Sequence, residues 1–359
     1  LLAALPGRVL EAVKIAPQAP PAVISRSAIA IGYYGRAVTA VRADRLDDAA
    51  MMCRRAVSYD SAFAEAPLLL ALLAVQEGDA AGGMRYLTNA VQIAHKTSDK
   101  ITLARAQGNI GLIYRQMGND AVARRYFELA AESAQACRDW FSQATASNNM
   151  AQLHLHAGRS AEALAALRER DALLRRIGDE LAIGPNLTLI GTLQQQLGQS
   201  KEALATHTEA LRYARKYAGP TEQAAALHQL GLAHHDLEQF DEAMDCYQKS
   251  VKLADPRRAG PTHNNIGLIH QIRHQSTEAL GAFEQAIALF EQYPDPPQQA
   301  VCLSNAAEVL AELGRKEQAA EALGKAVAIL RRIQHPGAAT FQQKLDALTG
   351  NAAGDGQSR

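Results

Sequence analysis

The 359-residue sequence predicts an all-α fold, a solenoid of about eight helical hairpins followed by a C-terminal capping helix, and three observations point there. Small residues recur at Ala37, Ala71, Gly111, Ala151, Gly191, Gly231, Gly267 and Ala307, spaced 34, 40, 40, 40, 40, 36 and 40 residues apart, and a period in this range marks stacked repeats. A second small residue follows each at a constant interval of twelve: Ala49, Gly83, Ala123, Ala163, Ala203, Ala243, Ala279 and Ala319. Aromatics make up only 5% of a chain that is 48% hydrophobic, with abundant Ala and Leu, a balance that suits closely packed helices and suits strands badly.

The hairpin follows from these positions. Four residues beyond the second small residue, one helical turn away, stands a bulkier side chain: Cys53, Leu87, Phe127, Leu167, His207, Tyr247, Phe283 and Leu323. Small residues at matching places on two helices let their backbones cross closely, and the bulky residue fills the space beside the crossing. Between the paired small residues, Gly78, Gly118, Gly158, Gly198 and Gly314 are placed to end the first helix in a left-handed turn. Asp44, Glu238 and His274 stand there in the other three repeats.

In chain order, residues 1–26 read as an N-terminal segment, with a short helix around Pro6 to Ala16 and a Pro-rich linker from Pro17 to Pro21. The eight repeats occupy 27–333. Gly184-Pro185 falls inside the first helix of the fifth, where it is expected to break or kink that helix and leave Pro185 near a new first turn. Residues 334–348 are expected to form a capping helix, and 349–359 a disordered tail.

Ile110-Gly111-x-x-Tyr114 followed by Ala123-x-x-x-Phe127 and Ala130 resembles the tetratricopeptide repeat, as do Leu230-Gly231, Ala243, Tyr247 and Pro256, and Ile266-Gly267, Ala279, Phe283 and Ala286. The resemblance covers about residues 27 to 333. Departures from the motif are the absence of its early Trp, with Trp140 lying between repeats, and Arg170 at a place where Ala is expected, which puts the packing of the fourth pair in doubt. The long repeat is similar to that of kinesin-light-chain and LGN-type adaptors and of bacterial peptide-sensing regulators. The resemblance implies a right-handed superhelical solenoid of helices of about 15 to 19 residues, with first helices lining the concave side.

Charge narrows the function. Lys plus Arg equals Asp plus Glu at 37 each, so no global field favours a phosphate backbone, and nucleic acid is not an expected partner. No apolar run reaches the roughly 18 residues a spanning helix needs, so no membrane insertion is expected. Cys53, Cys137, Cys246 and Cys302 lie far apart without metal-ligand spacing, which predicts core thiols in a reducing, cytoplasmic setting. The chain starts at Leu1 rather than Met, which fits a fragment or processed product. Seven of eleven histidines fall between His207 and His274. His154, His234 and His270 take the place of Tyr114, and His207 that of Phe127, so they are expected as interior aromatics rather than metal ligands. No catalytic motif, cofactor fingerprint or metal site is present, and an enzyme is not expected.

A side chain two residues before the first small residue points roughly 200° away from it, off the partner helix. That place holds Gly35, Leu69, Asn109, Asn149, Leu189, Gln229, Asn265 and Asn305. A carboxamide both donates and accepts, so it can pair with the main chain of an extended peptide. Helices about 10 Å apart would offer one amide to about every third peptide residue. In the adaptors that this sequence resembles, groove asparagines act in this way, which implies the role for Asn109, Asn149, Asn265 and Asn305, with Gln229 as an extension. Arg105, Leu112 and Gln116 share the stripe of Asn109, with Arg115 nearby, as a candidate pocket for a partner carboxylate. Glu308 and Glu312 near Asn305 suggest an acidic opposite end. The expected function is a protein-interaction scaffold binding an extended peptide or partner helix; the alternative is the sensory arm of a larger bacterial-type signalling or transcription-regulating protein with its output domain outside this chain. The sequence leaves the oligomeric state open.

Overall fold

A computed structural model describes residues 27–350. The chain divides into two compact units, one ending at Asp179 and one beginning at Glu180. In the first, helices pair as α1 (Ala28–Arg42) with α2 (Leu46–Tyr59), α3 (Glu65–Gln76) with α4 (Ala80–Thr97), α5 (Lys100–Gln116) with α6 (Asp120–Ala136), and α7 (Trp140–His156) with α8 (Ser160–Ile177). In the second, α9 (Glu180–Gln196) pairs with α10 (Ser200–Tyr217), α11 (Pro220–Asp236) with α12 (Phe240–Leu253), α13 (Pro256–Ile272) with α14 (Ser276–Gln292), and α15 (Pro296–Glu312) with α16 (Lys316–Arg332). A last helix, α17 (Ala338–Thr349), packs on α16 through Phe341. Within each unit every second helix also packs on the first helix of the next hairpin, so each unit is an all-helical solenoid stack in chain order. The readings for residues 1–26 and 351–359 fall outside the described residues.

Helix starts are written in the sequence. Asp79, Asp99, Asn119, Asp139 and Asp295 accept a hydrogen bond from the backbone amide three residues on, and Pro220, Pro256 and Pro296 open helices at the one turn where a missing N–H costs nothing. The repeat spacings also find their cause. Helices α4–α11 and α13–α16 run 17 or 18 residues, whereas α2 and α12 hold 14, and the short intervals of 34 and 36 residues span these two.

The paired small residues meet as the spacing predicts. A Cβ added to Gly111 would lie 2.6 Å from Cε1 of Phe127, and Gly191, Gly231 and Gly267 stand against the rings of His207, Tyr247 and Phe283 in the same way. The turn between the helices has one backbone conformation whatever its residue. The glycines there have positive φ, and so do Asp44 (57°), Glu238 (58°) and His274 (57°).

Four expectations are corrected. Helix α9 is not interrupted at Gly184-Pro185, which sits inside its second turn, and Gly260-Pro261 sits at the same register in α13. Both glycines approach the second helix of their own hairpin, at Tyr213 and Phe290, so the Gly-Pro step passes inside a helix held by its neighbour. His154, His234 and His270 are half-buried rather than interior: each ring Nδ1 bonds the side chain five residues on, at Arg159, Gln239 and Gln275, bracing the hairpin turn. Of these four, His207 is the core histidine, 1% exposed. Cys53, Cys246 and Cys302 are buried and free, but Cys137 is half-buried at the end of α6, its Sγ directed to the Ser133 carbonyl. Arg170 does not disturb the fourth hairpin; it is half-buried in α8, and loss of solvent pulls its pKa below the ordinary range.

Candidate functional site

The first helices carry the candidate residues, and the two units present them differently. In the first unit Arg105, Asn109, Leu112, Arg115 and Gln116 share α5, and Asn149 lies on α7, which packs on α5. Asn109 is half-buried and Gln116 is exposed. Leu112 packs on Ala123, Phe127 and Leu153 and serves the core. Asn149 is only 6% exposed and its Nδ2 has no hydrogen-bond partner, so this amide is turned inward rather than into a groove. Leu69, at the same register, is 5% exposed in the core of the first two hairpins. The position two residues before the small residue is therefore not open to solvent in every repeat, because a first helix is flanked by its neighbours in the stack.

The arginines of the expected basic pocket are already engaged. Arg105 Nη1 lies 3.2 Å from Glu65 Oε1, and Glu65 is nearly buried on α3. Burial raises the pKa of Glu65, Arg105 opposes that rise, and Asp99 adds to it. Arg115 reaches the Gln152 amide oxygen on α7. Arg105 is thus ion-paired within the fold instead of standing as a free cation, and Arg115 is hydrogen-bonded to a neutral amide on the next first helix.

In the second unit Gln229 (α11), Asn265 (α13) and Asn305 (α15) are half-buried, and Leu189 of α9 is 43% exposed. Asn305 Nδ2 donates to Asn264 Oδ1 at 2.9 Å, and the Cys302 thiol points to the same oxygen at 3.4 Å, which ties α15 to α13. Asn265 lies close enough to the Tyr247 hydroxyl to oppose the rise in its pKa that burial causes. Glu308 is paired with Lys344 of α17 at 2.7 Å and Glu312 accepts from Gln271, so the expected acidic end is partly satisfied within the fold. One turn before the amide row, at i−4, Pro185, Ala225 and Val301 are exposed and Pro261 is half-buried. The four first helices thus present an apolar row at i−4, and three of them (α11, α13 and α15) an amide beside it.

Sequence reasoning missed a cavity of about 120 Å³ between α11 and α13, bordered by Ala224, Ala225, His228, Arg258, Pro261 and Thr262. The signal available was Gly260-Pro261, a helix-interior proline at the register of Pro185. His228 Nδ1 and Thr262 Oγ1 are 2.8 Å apart across it, and burial lowers the His228 pKa to about 4. Among the described residues no group of three or more His, Cys, Asp or Glu side chains is arranged to hold a metal ion, and no helix is long and apolar enough to cross a membrane.

Comparison with known proteins agrees with this architecture. The tetratricopeptide repeat profile matches residues 102–170, 185–255 and 258–332, together more than half of the chain, and that of anaphase-promoting complex subunit 5 matches 38–113. A search of curated proteins yields no match. Among solved structures, the chain is similar to a signal transduction ATPase with numerous domains carrying a tetratricopeptide repeat sensor, from Pyrococcus horikoshii. The TM-score is 0.67 at 17% identity, over 96% of this chain and 52% of that one, so the chain spans about half its length. The apo form of RapI aligns with TM-score 0.56 at 13% identity, over 76% of this chain and 98% of that one. A Rap protein complexed with competence and sporulation factor aligns with TM-score 0.50 at 13% identity, over 90% and 98%. At these identities the structural likenesses speak for the fold, and the profile match speaks for descent: the chain belongs to the tetratricopeptide repeat family.

Proposed function

We propose that the chain is a protein-interaction scaffold, without catalysis of its own, that holds an extended peptide or a partner's helix on the first-helix face of its second unit. The observation that carries this reading is the double row on α9, α11, α13 and α15: Pro185, Ala225, Pro261 and Val301 beside Leu189, Gln229, Asn265 and Asn305. An extended chain needs an apolar surface for some of its side chains and main-chain partners for its amides; the first row offers the surface, and Gln229, Asn265 and the Asn305 oxygen offer the partners, at i−4 spacing. The fold shared with a Rap protein seen with competence and sporulation factor supports the same reading. The first unit is less open to a ligand at the corresponding places, since Arg105 is held by Glu65 and Asn149 is turned in.

The test is binding of a displayed random-peptide library to the purified chain, followed by Asn265→Ala and Val301→Asp. Each variant is expected to weaken the selected peptides by about tenfold, the scale of one lost hydrogen bond or one disrupted apolar contact, while thermal unfolding stays near that of the parent. Peptide affinities unchanged in both variants reject this face.

A second reading, a sensory arm acting on an output domain elsewhere in a longer protein, draws support from the likeness to the ATPase with a tetratricopeptide repeat sensor, of which this chain spans 52%. The complete reading frame decides it: a gene encoding no further domain rejects it.

A further inference from the structure

We infer that the cavity between α11 and α13 is a specificity pocket that accepts one aliphatic side chain of an extended peptide, up to leucine in size, with a neighbouring acidic residue held by Arg258. This rests on the peptide-binding reading above. The cavity, about 120 Å³, approaches the roughly 150 Å³ of a cavity known to hold a benzene molecule, so it takes one medium side chain and no more.

Its walls decide the chemistry. Ala224 and Ala225 on one side and Pro261 on the other offer methyl and ring surface. Two of the polar pairs that line it are bonded within the fold: His228 Nδ1 with Thr262 at 2.8 Å, and the Ser250 hydroxyl to the Ala224 carbonyl at 2.8 Å. An apolar guest therefore leaves both pairs intact and meets the Ala and Pro surface. His228 stays neutral near pH 7 because burial lowers its pKa to about 4, and no Asp or Glu borders the cavity. The charge at its edge is Arg258, which is exposed and forms no ion pair among the described residues. One unpaired guanidinium at an otherwise uncharged rim is complementary to a carboxylate. Gln229, one turn from Ala225, forms no side-chain hydrogen bond among the described residues, which leaves its amide for the guest's main chain.

The experiment uses the full chain and a phage-displayed library of random linear peptides, with a bare support as control. Selected peptides are expected to carry Val, Ile or Leu next to Asp or Glu. Ala225→Phe, which fills the mouth from an exposed position, is expected to lower their affinity at least about tenfold, and Arg258→Gln about tenfold for the acidic peptide but not for its Asn- or Gln-substituted version. Circular dichroism melts matching the parent confirm that both surface variants fold. Peptides that lack this pair of residues, or that bind both variants as tightly as the parent, overturn the pocket while the peptide-binding reading stands. No enrichment over the bare support overturns both.

Discussion

A Cβ on Gly267 would stand 2.6 Å from Cε1 of Phe283, inside any permissible contact. The pairing is general along the chain. Where the first helix has Gly (111, 191, 231, 267), the second has a ring (Phe127, His207, Tyr247, Phe283); where it has Ala (37, 71, 151, 307), the second has Cys or Leu (Cys53, Leu87, Leu167, Leu323). The two positions act as one volume, shared differently in each hairpin.

Gly267→Ala is therefore expected to destabilise the second unit by about 1 to 3 kcal/mol, the usual cost of overpacking. Adding Phe283→Leu should recover part of that loss, because the pair then matches Ala307–Leu323. Chemical denaturation of both single variants and the double variant checks this; strictly additive losses would show that the positions are independent.

The left-handed turn at Glu238 gives a second expectation. Its φ is 58°, where a Cβ is crowded and glycine is not. Glu238→Gly is expected to raise stability by about 0.5 to 1 kcal/mol after the extra chain entropy of glycine is subtracted. A lower melting temperature would mean that the Glu238 side chain does something that the turn geometry does not reveal.

Acid should weaken the second unit. His207 and His228 both have pKa values lowered from 6.5 to about 4, chiefly by burial. As pH falls below about 6.5 the unfolded chain takes up these protons before the folded one, so stability is complete above that range and drains between about 6.5 and 4. The loss is on the order of 2 to 3 kcal/mol per histidine. Melting temperatures from pH 7.5 to 4.5 test it, and His207→Phe, which copies Gly111–Phe127, should flatten the slope.

The Glu65–Arg105 pair sets the opposite trend in the first unit. Burial raises the Glu65 pKa, and Arg105 holds that rise in check. In Arg105→Met the rise is larger, so the folded state keeps its proton while the unfolded chain loses it as pH climbs past the ordinary carboxylate range. Stability lost to this variant should be small near pH 5 and greater at pH 8, up to about 3 to 5 kcal/mol for an uncompensated buried charge. An equal loss at both pH values would mean that the side chain matters for packing alone.

Much of the fold was legible because it is periodic. Eight pairs of small residues twelve apart locate the eight crossings, and no three-dimensional information is needed to see them. Asp44, Glu238 and His274 were recognisable as turn residues only from the glycines at the same place in other repeats. The site was less legible. Direction from a helix wheel places Asn149 off its partner helix, but only the folded stack shows that it is buried there. The spacing of Arg105 suggested a free cation, because Glu65, 40 residues upstream, becomes its neighbour only when hairpins are laid side by side. Single-repeat patterns carry intrahairpin contacts; ligand surfaces arise between repeats, where the pattern is silent.

Pro185 and Pro261 lack the amide hydrogens that would otherwise occupy the carbonyls of Leu181 and Arg257. At those two steps α9 and α13 can bend without rupturing a main-chain bond, and the second of these steps lies in the cavity wall that bears Pro261. On the peptide-binding reading proposed above, such joints would let the face follow guests of slightly different girth while the glycine-and-ring crossings stay locked.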